Sequence, residues 1–115
     1  MACCDDHFGS ELSTAELGQA LSWFHDATGR KIDLLYLDAC LMAMFELAYE
    51  LSESVNYLLA SESWSWTSFS YDAHLNAIDD TMNAREIGEA WLANEANVLR
   101  PDEYPFTYSL INLSR

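Results

Sequence analysis

The run "IDLLYLDACLMAMFE", residues 32–46, constrains this chain more than any other stretch. From Ile32 to Leu37 the apolar residues fall on both alternations. A strand that can show neither face to water belongs inside a parallel sheet with helices on both sides. The run then stops at Asp38, offers Cys40, and resumes with helix-forming residues from about Leu41 to Leu51. A second apolar run, "VNYLLAS", reads as another buried strand from about Val55 to Ala60. Strand, helix and strand at this spacing make a βαβ unit, whose crossover is right-handed.

The flanks agree with an α/β fold. In "STAELGQALSWFHDATG", Ser13 and Glu16 have capping-box spacing, and Leu17, Ala20, Leu21 and Phe24 fall on one helical face. Gly29 is the expected stop. The segment "SESWSWTSFSYD" alternates serine with aromatics and has no helical period, so it fits an exposed strand or a loop after a strand. Two helical patterns follow, "DAHLNAIDDTM" and "NAREIGEAWLANEA", then a turn at "RPDEYP" and a last strand, "FTYSLINLS". The order α-β-α-β-loop-α-α-β predicts a layered α/β fold with mainly parallel strands and crossover helices. At 115 residues, half of them apolar, it amounts to one domain, 1–115.

Nineteen acidic residues stand against five basic ones, a formal charge of −14. Such a field repels phosphate backbones and argues against nucleic acid, and it favours cationic partners. No run approaches a membrane span, and the start "MACCDDHFGS" has no signal-peptide pattern, which leaves localisation unassigned. Cys3, Cys4 and Cys40 are odd in number and form no CxxC pair for zinc.

Functional residues of α/β sheets gather beyond the carboxyl ends of the strands. Cys40 is expected there, about where the next helix begins, and a helix N-terminus lowers a thiol pKa. The alternative is an inert buried thiol. Asp38 at the same strand end either faces a pocket, where it could hold a cationic side chain, or caps the following helix. Ser61 and Glu62, just past the second strand, are expected on the same rim. A cysteine nucleophile needs a base, normally histidine. His25 lies late in a helix, His74 follows the wrong strand, and His7 has only six residues ahead of it to hold it rigidly.

The block "DLLYLDACLMAMFELAYEL", followed by "VNYLLASE", resembles the active-site segment of the clostripain family of cysteine peptidases. That family has a strand, then Asp-Ala-Cys-Leu-Met, a helix with Glu-x-Ala-Tyr, and a strand ending Ser-Glu. "SFSY" sits where the family has Gly-Trp-x-Tyr, and "TYSLINLS" resembles a later strand of the family. The resemblance covers nearly all of the chain. It implies a partial caspase-like α/β/α sandwich and a His–Cys dyad that cleaves after Arg or Lys. Cys40 would be the nucleophile and Asp38 part of an acidic pocket, with Ser61 and Glu62 near the substrate. The partner would be a peptide or protein substrate carrying basic residues. No cofactor is required, although some members bind calcium; Asp79 and Asp80 lack EF-hand spacing.

The departures are equally specific. The family's histidine lies in a His-Gly turn further ahead of the cysteine than His7 is from Cys40, so the base is expected upstream of this chain. Ser68 and Phe69 replace the family's Gly and Trp. Nothing basic precedes Arg30, so the self-cleavage site of many members has no counterpart. The expectation is a truncated peptidase core, inactive alone, with an unpaired sheet edge prone to self-association. A non-catalytic acidic module that binds basic peptides or partners through Asp38, Glu62 and the aromatics of "SWSWTSFSY" is the alternative.

Overall fold

The computed structural model describes residues 3–5, 7–66, 71–100 and 102–114. A hairpin of β1 (Cys3–Asp5) and β2 (Ser10–Leu12), which the polar start did not announce, leads into α1 (Thr14–Thr28). The expected capping box is present: the Glu16 amide donates to Ser13 Oγ at 3.1 Å and the Ser13 amide to Glu16 Oε2 at 2.8 Å. Gly29 ends α1 in the left-handed conformation, φ 67°, its amide donating to the His25 carbonyl at 2.7 Å. The buried face is rotated from the expected one. Gly18 is buried while Ala20 and Phe24 are exposed. A Cβ at position 18 would stand 3.0 Å from Glu50 Cγ, so contact with the next helix takes place at the residue lacking a side chain.

Then follow β3 (Ile32–Leu37), α2 (Phe45–Leu51), β4 (Val55–Ser61), α3 (Tyr71–Asn76), α4 (Ala84–Val98) and β5 (Tyr108–Asn112). The sheet order is β3-β4-β5, with β3 parallel to β4 and Leu37 opposite Ala60. β5 is antiparallel to β4, Tyr108 opposite Ser61, so the expected α/β sheet carries an antiparallel edge strand. Two helices, not one, connect β4 to β5. Helix α4 runs from the Tyr57 end of the sheet, where Arg85 and Glu89 lie, to the Tyr36 end, where Glu95 lies. The chain thus returns to the end it left and must re-enter the sheet heading the other way.

Successive strand residues serve two different layers. Leu35, Leu37, Leu58, Ala60 and Ile111 cluster with Leu21 of α1 and with Leu47 and Leu51 of α2. On the other face, Gly88 of α4 lies against Leu110 and Glu95 meets Tyr36. The result is a three-layer α/β/α arrangement in which β4 is central and the most buried strand. Among the described residues, no strand pairs with the outer edge of β3.

Candidate functional site

The strand end at Leu37 opens into a loop, not a helix. Helix α2 begins at Phe45 with Met44 as its N-cap, five residues beyond Cys40. The helix-dipole argument for a thiolate at Cys40 therefore does not apply, and Asp38 is not a cap. The intervening segment is held as an extension of the sheet end: the Leu41 amide donates to the Ser63 carbonyl and the Ala43 amide to the Ser61 carbonyl, each at 3.0 Å. These bonds outweigh local helix propensity. They also hold Leu41 at φ 61°, the left-handed region that costs a side-chain-bearing residue about 1–2 kcal/mol. The turn aims the chain away from β3 directly after the cysteine.

Cys40 is half-buried and lines a cleft of about 410 Å³ with Thr14, Leu41, Met42, Met44, Glu46 and Leu47. It is not fully enclosed in the core. Its hydrogen bonds among the described residues are both to Ser65, whose amide donates to Sγ at 3.2 Å while the thiol faces the Ser65 carbonyl at 3.8 Å. No histidine hydrogen-bonds to it. His7 stands exposed in the hairpin turn, edge-on to Phe8 with ring centroids 4.5 Å apart. His25 lies in the last turn of α1.

Asp38 is exposed, two residues before the thiol. Its Oδ1 accepts from Ser65 Oγ at 2.9 Å and its Oδ2 from the Tyr71 hydroxyl. A carboxylate has about four acceptor positions, so room remains for a cationic ligand. Donation to Asp38 is the main reason that the Tyr71 phenol is pushed up to about 12, followed by burial. Ser65 Oγ also lies 2.5 Å from the Tyr108 hydroxyl.

Behind Asp38 the polar contacts continue into the core. Tyr36 donates to Glu95 Oε1 at 3.1 Å, and His74 Nε2 lies 3.1 Å from the same oxygen and 3.3 Å from the Trp91 carbonyl. With two acceptors before it, Nε2 carries the ring proton, while Nδ1 is buried with no partner. Glu95 is almost fully buried, and burial pushes its carboxyl up against the opposing effects of Tyr36 and His74. Tyr36 and Tyr108 are also pushed up, burial being the first cause for both, so these phenols remain donors.

The remaining rim residues part company. Ser61 is fully buried, its hydroxyl donating to the Trp64 carbonyl at 3.3 Å and accepting from the Ser63 amide at 3.2 Å. It shapes the turn and presents nothing to a ligand. Glu62 is exposed, accepts from Ser109 Oγ at 3.2 Å, and lines a cavity of about 190 Å³ with Leu41, Ser63 and Trp64. Trp66 is anchored by its indole N–H to the Pro105 carbonyl at 2.9 Å, whereas Trp64 is 70% exposed. The segment is a loop as far as residue 66; Ser68 and Phe69 lie outside the described residues. No group of three or more His, Cys, Asp or Glu among the described residues could hold a metal ion, and Asp79 is engaged by Thr81. No helix among them is long and apolar enough to cross a membrane.

Sequence reasoning placed Tyr71 only among the aromatics of a binding segment, and missed Ser65, Tyr108 and the Tyr36–Glu95–His74 group. A glutamate in the middle of a helical pattern and a tyrosine within an apolar strand carry no signal of each other until the layers are stacked.

The comparisons with known proteins agree with this geometry. A cysteine protease from B. fragilis has the same fold, with a TM-score of 0.69 and 20% identity, over 97% of this chain and 47% of the other. A clostripain from Bacteroides thetaiotaomicron, solved with the peptide inhibitor BTN-VLTK-AOMK, also gives 0.69, at 17% identity, over 99% of this chain and 48% of that one. The chain thus spans about half the length of the solved structures it matches. No curated protein sequence is matched. The family model for the clostripain family matches residues 1–115 from end to end, and together with the caspase-like α/β/α layering this places the chain in the clostripain family.

Proposed function

We propose that these residues form the nucleophile half of a cysteine endopeptidase that cleaves peptide bonds after Arg or Lys. The observation that carries the reading is the pairing of Cys40, open to a cleft beyond the end of a parallel strand, with an exposed Asp38 two residues earlier. Cys40 Sγ adds to the scissile carbonyl; the tetrahedral adduct collapses by breaking the C–N bond, the amine leaves with a proton from the base, and the thioester left on Cys40 is hydrolysed by water. Asp38 receives the guanidinium or ammonium of the residue before the scissile bond, a geometry suited to a planar fork. The lysine in the inhibitor bound to the Bacteroides thetaiotaomicron clostripain supports a basic residue at that point.

The general base is a histidine supplied from outside these 115 residues, since none of the three present hydrogen-bonds to Cys40. The open edge of β3 is where a further strand, or a second copy of this chain, adds to the sheet. Because the base is missing from the contacts of Cys40, a second reading also stands: an acidic module that binds basic peptides without cleaving them.

Alkylation of Cys40 by iodoacetamide, in a Cys3→Ser, Cys4→Ser background, tests the pocket. An arginyl peptide should slow the reaction where a glutamyl peptide does not, and Asp38→Asn should abolish the difference. Equal protection by both peptides would refute the basic-side-chain assignment. Release of a fluorophore from an arginyl substrate, lost in Cys40→Ala, separates peptidase from binding module.

A further inference from the structure

Ser65 is the residue on which the two halves of the site converge. Its main chain brackets the Cys40 sulfur, N–H at 3.2 Å and carbonyl at 3.8 Å, and its hydroxyl meets Asp38 at 2.9 Å and Tyr108 at 2.5 Å. A hydroxyl has one proton. Asp38, a carboxylate, can only accept, so the Ser65 proton goes to Asp38 and the Tyr108 proton must go to Ser65. Tyr108 is buried at the start of β5, opposite Ser61 of β4, and cannot swing away. Asp38, by contrast, is exposed at the end of an edge strand. Its second donor, the Tyr71 hydroxyl, belongs to a side chain that is itself 54% exposed, so the donor fixed by the sheet is Ser65.

We propose, resting on the reading of Asp38 as the receptor for a basic side chain, that Ser65 is the positioning residue of this site: its hydroxyl, locked by Tyr108, aims the Asp38 carboxylate, while its backbone holds the thiol. The two functions reside in different atoms and can be separated by substitution. Ser65→Ala removes the hydroxyl and keeps the amide and carbonyl. Ser65→Thr keeps all three.

The experiment measures Cys40 alkylation in the same Cys3→Ser, Cys4→Ser background, over a range of arginyl peptide concentrations and without peptide. Ser65→Ala should need about tenfold more arginyl peptide for half-protection, the loss expected of one hydrogen bond to a charged acceptor. Its peptide-free alkylation rate should change less than its protection does, since the main-chain contacts to sulfur persist. Ser65→Thr should restore protection. Tyr108→Phe, which unlocks the hydroxyl without removing it, should weaken protection in the same direction but less, and it decides the matter if Ser65→Ala does not fold. Undiminished protection in Ser65→Ala would overturn the proposal, as would a peptide-free rate that changes as much as the protection does. If the parent protein itself shows no preference for the arginyl peptide, the receptor reading fails first and the role of Ser65 falls with it.

Discussion

Replacing Tyr36 by Phe isolates the buried polar contact between β3 and α4. The change removes one hydroxyl and leaves the ring, whose centroid lies 5.9 Å from that of Trp91, in place. What is lost is the 3.1 Å donation to Glu95 Oε1. At pH values below the ordinary glutamate range, where Glu95 is protonated, this is one neutral hydrogen bond, worth about 1 kcal/mol. Above the raised folded value, where the acceptor carries charge, the loss grows to about 1.5–3 kcal/mol. The sign follows from the raised pKa of Glu95. A carboxyl held above its unfolded value contributes fully below that unfolded value, and its contribution is eroded as pH rises through the folded value. Tyr36 opposes the upward shift, so deleting it raises the folded pKa further and deepens the erosion at high pH. The difference cannot change faster than about 1.4 kcal/mol per pH unit for one proton. Urea unfolding of both proteins at several pH values between these limits measures it. A destabilisation that is flat in pH, or that shrinks as pH rises, would refute the account of Glu95.

Gly88→Ala places a Cβ 2.6 Å from Leu110 Cδ1 and 3.0 Å from Cδ2; overpacking of about 1–3 kcal/mol against a helix-propensity gain of about 1 kcal/mol leaves a net loss near 1 kcal/mol in urea unfolding. Combining it with Leu110→Ala should cost less than the sum of the two single changes, and strict additivity would mean that the two residues do not touch. Ultraviolet titration should show Tyr71 among the late-ionising phenols, near pH 12 and alongside Tyr36 and Tyr108, and Asp38→Asn should bring one of them down towards the ordinary tyrosine value; no change would place Tyr71 away from Asp38.

The capping box at Ser13 and the stop at Gly29 were legible because they are local, each involving atoms within a few residues. The strand Ile32–Leu37 was legible because apolar residues on both alternations have few uses other than a covered strand. The false start of a helix at Leu41 has the opposite cause. The segment's composition favours helix, but the carbonyls of Ser61 and Ser63 claim the amides of Ala43 and Leu41, 18 and 22 positions away. Likewise Ser61 looked like a rim residue from its place at a strand end. Only the fold of the following turn showed its hydroxyl to be enclosed by residues 63 and 64.

The sequence by itself determined the layered α/β class, the position of Cys40 and Asp38 beyond one strand, and the clostripain resemblance carried by Asp-Ala-Cys-Leu-Met. Those are properties of short stretches, where periodicity and neighbouring side chains suffice. The tertiary structure decided that β5 runs antiparallel, that the thiol rests on a loop, and that Ser65 and Tyr108 meet at Asp38. These depend on hydrogen bonds between residues 18 or more positions apart. Such a bond costs loop closure and desolvation before it contributes anything, so its partner is settled by the packing of whole layers.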